Sequence, residues 1–167
     1  MRLGRKWLGD HASGIMQYMA LHLHIDPFSG ISGDMFLGAM LDLGVTVDQV
    51  TLALAALPVA GDFQLTAQRV QRHSIGAVDV KIRCDPDKPQ PLRHYHHLAD
   101  MAGRLSTSKR GLERANKILD ALANAEAEVH CVPLEKVHFH ETGAVDSIVD
   151  MFGSAIAIEL LDIETVS

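Results

Sequence analysis

The spacing of apolar residues along the chain changes period several times, and each change predicts an element. In Leu21-His22-Leu23-His24-Ile25-Asp26 apolar and polar residues alternate. On a strand this sends Leu21, Leu23 and Ile25 to one face and His22, His24 and Asp26 to the other. Ser29-Gly30-Ile31-Ser32-Gly33 then makes a tight turn, with Ser32 as N-cap and Asp34 in the first turn of a helix. Met35, Ala39, Met40 and Leu43 recur at helical spacing until Gly44 stops it. Thr46-Val47-Asp48-Gln49 has the capping-box pattern and starts a second helix that runs to Pro58. From Phe63 the period returns to two: Phe63, Leu65 and Ala67, and later Val78, Val80, Ile82 and Cys84, alternate with polar neighbours, and Ser74 to Gly76 lie between. This predicts an antiparallel pair.

Pro86, Pro89 and Pro91 mark a linker over residues 85–91 before a helical second half. Ser108 caps a long helix with Leu112, Ala115, Ile118, Leu119, Leu122 and Val129 on one side, and Pro133 ends that region. A last helix from Ala144 to about Leu161 turns Val145, Ile148, Val149, Phe152 and Ile156 to the core. The order predicts an α+β fold: a small mixed or antiparallel sheet covered by helices, followed by a helical half. Residues 1–20 form an extension expected to be flexible, and residues 21–167 form one domain.

A length of 167 residues with 47% hydrophobic content is enough for one buried core. The formal charge of −6, with no Lys/Arg cluster beyond the first six residues, argues against a nucleic-acid groove. Gly9, Asp10 and His11 interrupt any signal-peptide core, leaving Met16 and Met19 as alternative starts, and the longest apolar run, 50–60, is too short to span a bilayer. Cys84 and Cys131 stand far apart and outside any C-x-x-C pairing, which suits a reducing compartment. A soluble, cytoplasmic chain is expected.

Histidine changes the picture. There are ten, and seven fall in three clusters: His22 and His24; His94, His96 and His97; His138 and His140. A single His such as His73 or His11 reads as a hydrogen-bonded core or surface residue. Paired imidazoles on one face of a strand, repeated elsewhere, point instead to a metal or catalytic site. Imidazole suits zinc, nickel, copper and iron. In Arg93-His94-Tyr95-His96-His97 an extended backbone aligns His94 with His96, and a helical one aligns His94 with His97. In Val137-His138-Phe139-His140-Glu141 the strand turns at Thr142-Gly143 into the last helix, whose Asp146 and Asp150 share a face. These carboxylates either bind an ion, orient imidazoles, or make an ordinary polar face. Cys131, next to His130, either reaches this site or is a small buried residue. The Ser-Gly-x-Ser-Gly turn at a helix N-terminus either holds a phosphate through its backbone N–H groups or is only a tight turn.

The strings Asp26-Pro27-Phe28-Ser29-Gly30-Ile31-Ser32-Gly33-Asp34-Met35, Arg93-His94-Tyr95-His96, and Val137-His138-Phe139-His140-Glu141 followed by Gly143-Ala144-Val145-Asp146-Ser147-Ile148-Val149-Asp150 occur in that order. In them the chain resembles the N-terminal region of the LarC-type nickel insertion proteins, from about His22 onward. The resemblance implies insertion of Ni(II) into pyridinium-3,5-bisthiocarboxylic acid mononucleotide to form the nickel-pincer nucleotide, a lyase-class reaction that consumes CTP. It implies nickel handling by His22, His24, His94, His96, His138 and His140, with Glu141, Asp146 and Asp150 as oxygen ligands or orienting groups. Gly30, Ser32, Gly33 and Asp34 would receive the acceptor's phosphate. The family's CTP-binding half lies beyond Ser167, in a C-terminal domain or a partner chain, and a homo-oligomer is an allowed assembly. The extension before Leu21, and Cys131 where the family pattern leads one to expect Gly, depart from it. Two other classes are weighed: a non-catalytic nickel-binding or metallochaperone module, and a metal-dependent hydrolase barrel, whose seven or eight strands exceed the three or four that the periodicity offers.

Overall fold

The computed structural model describes residues 2–5, 20–139 and 143–167. Its elements run β1 (Arg2–Arg5), β2 (Leu21–His24), α1 (Gly33–Asp42), α2 (Val47–Leu54), β3 (Phe63–Arg72), β4 (Ile75–Cys84), β5 (Arg93–His94), α3 (Tyr95–Ala102), α4 (Lys109–His130), a single 3₁₀ turn (Leu134–Lys136), β6 (His138–Phe139), α5 (Val145–Leu160) and β7 (Ile163–Val166). The fold is α+β.

Helix α5 is the central member. Val145, Ile148, Val149, Phe152 and Ile156 are all buried, as its spacing predicts, and so are Met151, Ala155 and Ala157. A helix apolar on most of its circumference must be covered from several directions. Helices α1, α2 and α4 supply that cover, with Leu37, Leu54 and Leu119 fully buried against it. At Gly153 the packing is close enough that a Cβ would meet Val50 at 3.4 Å and Leu37 at 3.5 Å.

Three small sheets surround this core. The first is mixed, in the order β1-β2-β7: β1 pairs antiparallel and β7 parallel to β2. Leu23 is fully buried while His24 is exposed, so β2 has the two faces its alternation requires. The second sheet is the predicted hairpin, β3 with β4, in register from Phe63↔Cys84 to Arg72↔Ile75. Its turn is the two-residue His73-Ser74, with φ of 47° and 68°. That is the left-handed pair a two-residue hairpin needs to match strand twist, so the turn sits nearer Arg72 than the Ser74 to Gly76 segment expected. The third sheet is a two-rung ladder, Arg93↔Phe139 and His94↔His138.

The caps follow the sequence closely. Thr46 and Gln49 form the reciprocal capping box of α2, and Ser108 Oγ accepts from the Gly111 amide at 3.1 Å. Helix α2 stops at Leu54, before the expected Pro58, because Pro58 has no N–H to give the Leu54 carbonyl four residues back and its ring would clash with that carbonyl. Helix α4 runs past the core, leaving Val129 78% exposed rather than packed.

The polar staple of the second half joins α4 to α5. Glu159 accepts from Arg110 Nε at 2.9 Å, from Arg114 Nη1 at 2.6 Å and from Ser108 Oγ at 2.6 Å. Desolvation works against its charge, but these donors hold the Glu159 carboxyl below its ordinary value. Among the described residues no helix is long and apolar enough to cross a membrane.

Candidate metal-handling site

Four imidazoles meet where β5, α3 and β6 come together. His94 and His138 are direct partners across the two-rung ladder, with ring centres 4.3 Å apart. The chain then turns into α3, so His96 and His97 enter from the first helical turn. His96 stacks on His94 at 5.5 Å, His97 meets His94 edge-on at 5.5 Å, and His96 and His97 are 4.1 Å apart. The backbone is extended at His94 and helical from Tyr95, so both of the pairings left open by the sequence form at once.

These spacings suit a shared ion. With metal–nitrogen bonds of about 2.0–2.1 Å, the ring centres of two imidazoles on one ion lie about 4.5 Å apart at a right angle and about 5.2 Å at a tetrahedral angle. The His94–His138 and His94–His96 separations stand near these two values. The nitrogens do not yet converge: among the described residues no three His, Cys, Asp or Glu side chains already surround one metal position. His96 and His138 are exposed and His94 half-buried, so their rings have solvent-side room to turn. His140 and Glu141 lie outside the described residues.

The scaffold beneath is rigid. Arg93, only 5% exposed, donates from Nη1 to the Gly143 carbonyl. Desolvation lowers its pKa, yet guanidinium stays charged. Gly143 is required for that approach, since a Cβ there would lie 2.8 Å from Phe139 Cβ and 3.4 Å from Arg93 Cβ. Tyr95 donates to Asp120 Oδ1 at 2.7 Å, pinning α3 to α4. Arg93 and Tyr95 were visible in the Arg-His-Tyr-His string, but nothing in their spacing shows that one anchors the β6–α5 turn and the other fixes the histidine-bearing helix.

A second group is acidic. Asp34 opens α1, and Asp146 and Asp150 lie in the first two turns of α5. The Asp150 carboxyl is pushed up to about 6, first by desolvation and then by the Asp34 and Asp146 charges. Its Oδ1 is buried without a hydrogen-bond partner. Asp34 Oδ1 takes the Ser32 hydroxyl and the Met35 amide, and Asp146 Oδ1 takes the Ser147 amide. Cys84 ends β4 beside Asp146; desolvation and then that carboxylate raise its thiol pKa, so it stays protonated at neutral pH.

The glycine turn has the geometry the sequence predicts. Gly30 takes φ of +85° and its amide bonds the Pro27 carbonyl at 2.8 Å. Ser32 stands at the N-cap position of α1, but its hydroxyl serves Asp34 rather than a helix amide. Gly33 is packed so closely on Asp150 that a Cβ would fall 2.6 Å from Asp150 Cγ. This helix N-terminus is therefore faced by carboxylates, and a phosphate could rest there only with a divalent cation between.

His22 and His24 are placed elsewhere. His22 Nδ1 bonds Thr165 Oγ1 at 2.7 Å, its Nε2 bonds Ser167 Oγ at 2.8 Å, and His24 Nδ1 reaches Ser167 Oγ at 3.2 Å. These partners come from β7 and the residue after it, which the periodicity did not predict. Cys131 is not buried: it is exposed, its thiol turns to the Glu128 carbonyl, and it takes a left-handed φ of 53° at the C-cap of α4. A glycine is favoured in that conformation, which gives a physical reason for the Gly expected at this position.

The family model described as nickel insertion protein matches residues 23–167. Relatives provisionally named nickel insertion proteins include one from Wolinella succinogenes, 42% identical over 144 residues, covering 86% of this chain and 36% of that protein. Another, from Rhodopirellula baltica, is 45% identical over 149 residues, covering 87% of this chain and 36% of its own length. The chain thus spans little more than a third of the length of the curated relatives it matches. No solved structure matches.

Proposed function

The chain belongs to the nickel insertion protein family, and from that premise we propose that it carries Ni(II) to an organic acceptor through the imidazoles of His94, His96 and His138. The observation that carries this reading is the meeting of His94, His96, His97 and His138 from three separate elements. Neutral imidazole is a borderline ligand: it binds Ni(II) firmly and still gives it up to sulfur. His140 and Glu141 would add to the set, and His24, exposed on β2, would with half-buried His22 form a separate acquisition point once the bonds of His22 to Thr165 and Ser167 give way.

The acceptor on this reading is pyridinium-3,5-bisthiocarboxylic acid mononucleotide, and the product is the nickel-pincer nucleotide. Its phosphate would approach Gly30, Ser32 and Gly33 with a divalent cation held by Asp34, Asp146 and Asp150, because the bare acidic surface repels it. The thiocarboxylates bind nickel as anions, so only the nickel–carbon bond displaces a proton, that of the ring C–H, and a neutral imidazole or a carboxylate of the site would take it up. CTP would be used by a further C-terminal domain or partner chain. Two free cysteines agree with a cytoplasmic setting.

The test is calorimetric Ni(II) titration of the chain and of a His94→Ala/His138→Ala double variant, followed by nickel transfer to the mononucleotide with CTP, with and without a complementing C-terminal chain. Loss of binding in the double variant, with transfer only in the complemented mixture, supports the proposal. Unchanged binding would move the ion away from the ladder. Tight binding without transfer under any condition would make the chain a nickel-holding module.

A further inference from the structure

His97 belongs to the imidazole cluster by position, and in the capping box it shares with His94 only its ring makes a hydrogen bond: the His94 side chain faces the His97 amide without forming a cap bond. The backbone N–H of His94 donates to His97 Nδ1 at 3.0 Å. A neutral imidazole has one donor and one acceptor nitrogen. An Nδ1 that accepts an N–H bond carries no proton, so in the neutral ring the proton sits on Nε2. Both nitrogens are then committed: Nδ1 to the chain, Nε2 to its own hydrogen. Neither offers a lone pair to an ion unless the bond to His94 breaks.

The bond is also structural. His94 is the N-cap of α3 and His97 is its third residue, the place from which a side chain reaches back to the cap amide in a capping box. The bond fixes the turn at which the chain passes from β5 into α3. That turn decides whether His94 and His96 face the same point. The ring packs at 4.1 Å from His96 and 5.5 Å from His94, which limits the rotamers of both.

We infer that His97 is the positioning residue of the cluster: it clamps the His94 amide through Nδ1, presents Nε2–H as a donor, and is not itself a ligand. This rests on the reading of the cluster as a nickel site and divides the work within it. Three rings, those of His94, His96 and His138, are left to give lone pairs. The fourth sets their spacing and offers a hydrogen bond to an anionic oxygen or sulfur on the ion, as outer partners of metal sites do.

Three variants separate the roles. Gln at this position carries an amide oxygen that can accept from the cap N–H, so His97→Gln keeps the clamp and removes the imidazole. His97→Phe keeps a ring and removes the acceptor, and His97→Ala removes both. Calorimetric Ni(II) titration of the full chain should show unchanged stoichiometry in all three, with affinity within about threefold of wild type for His97→Gln and about tenfold weaker for His97→Phe and His97→Ala. In the metal-free protein, ¹⁵N-detected imidazole NMR should place the proton on Nε2 of His97. Loss of binding in His97→Gln as complete as in the His94/His138 double variant would make His97 a ligand and overturn the inference, as would a proton on Nδ1. If wild type binds no Ni(II), the nickel reading fails and with it the ligand-positioning role, while the NMR result still decides whether the clamp exists.

Discussion

Replacing Asp150 with Asn tests the acidic group without touching an imidazole. The carboxyl titrates near 6 in the fold against an ordinary 3.8, so the folded protein holds this proton more tightly than the unfolded chain does. The stabilisation is fully present below the ordinary value and is lost as pH rises through about 6. A shift of about two units corresponds to about 3 kcal/mol for a fully buried group. Asp150 is only partly buried, and solvent screening reduces that to about 1–1.5 kcal/mol. Asn carries no charge to desolvate, so Asp150→Asn should be about 1–1.5 kcal/mol more stable than wild type at pH 8 and nearly equal to it at about pH 3, below the ordinary carboxyl value. Urea denaturation at both pH values reads this directly, and the difference between the two proteins cancels every titrating group that does not interact with Asp150, leaving Asp150 with its neighbours Asp34 and Asp146. A constant difference across the range would refute the assignment of the shift to Asp150. Magnesium or nickel should stabilise wild type at pH 8 more than the variant, since a cation beside the carboxylates restores what desolvation removes.

Gly33→Ala would drive a Cβ to 2.6 Å from the Asp150 Cβ and Cγ atoms; despite alanine's better helix propensity it should cost about 2 kcal/mol in chemical denaturation, and a neutral or stabilising result would mean that α1 and α5 are further apart. Glu159→Gln removes the charge that Arg110 and Arg114 share and one of the two oxygens that accept from them and from Ser108, and should cost about 2 kcal/mol at pH 7. Because the Glu159 carboxyl is held below its ordinary value, that contribution is present above about pH 4.5 and lost as pH falls through the folded value, so the two proteins should converge in acid. Cys131→Gly relieves a non-glycine left-handed residue and should raise stability by about 1 kcal/mol in thermal unfolding; no gain would mean the C-cap carries no strain.

The sequence made the helices and the hairpin legible because each has a strong local signal: the Thr46 capping box, the Ser108 cap, and the alternation from Phe63 to Cys84. Strand β6 showed in the alternation of His138, Phe139 and His140, β5 only as an open choice between extended and helical backbone at His94, and β7 not at all, since Ile163–Val166 becomes a strand only because β2 lies beside it. The candidate site was legible as residue types and not as a grouping. The histidine strings could not say that His138 pairs across to His94, since that register is set by Arg93 opposite Phe139 in the core. Nor could they say that His22 turns to Thr165 and Ser167. His97 was the ambiguous member of its string, and only the switch from strand to helix at Tyr95 shows that it faces back on the cap.

The pairing of His94 with His138 also bears on how the chain holds itself together. The two residues are 138 − 94 = 44 positions apart, and α3 and α4 lie within that span. An ion gripping both rings would act as a cross-link closing the loop, and in the chain-entropy picture such a closure is worth about 4 kcal/mol against the unfolded state. Surrendering the cargo would then slacken the very half of the molecule that carried it. A loaded and an emptied chain would differ in how readily they melt, and by the same coupling the protein should grip the ion more loosely as this half comes apart.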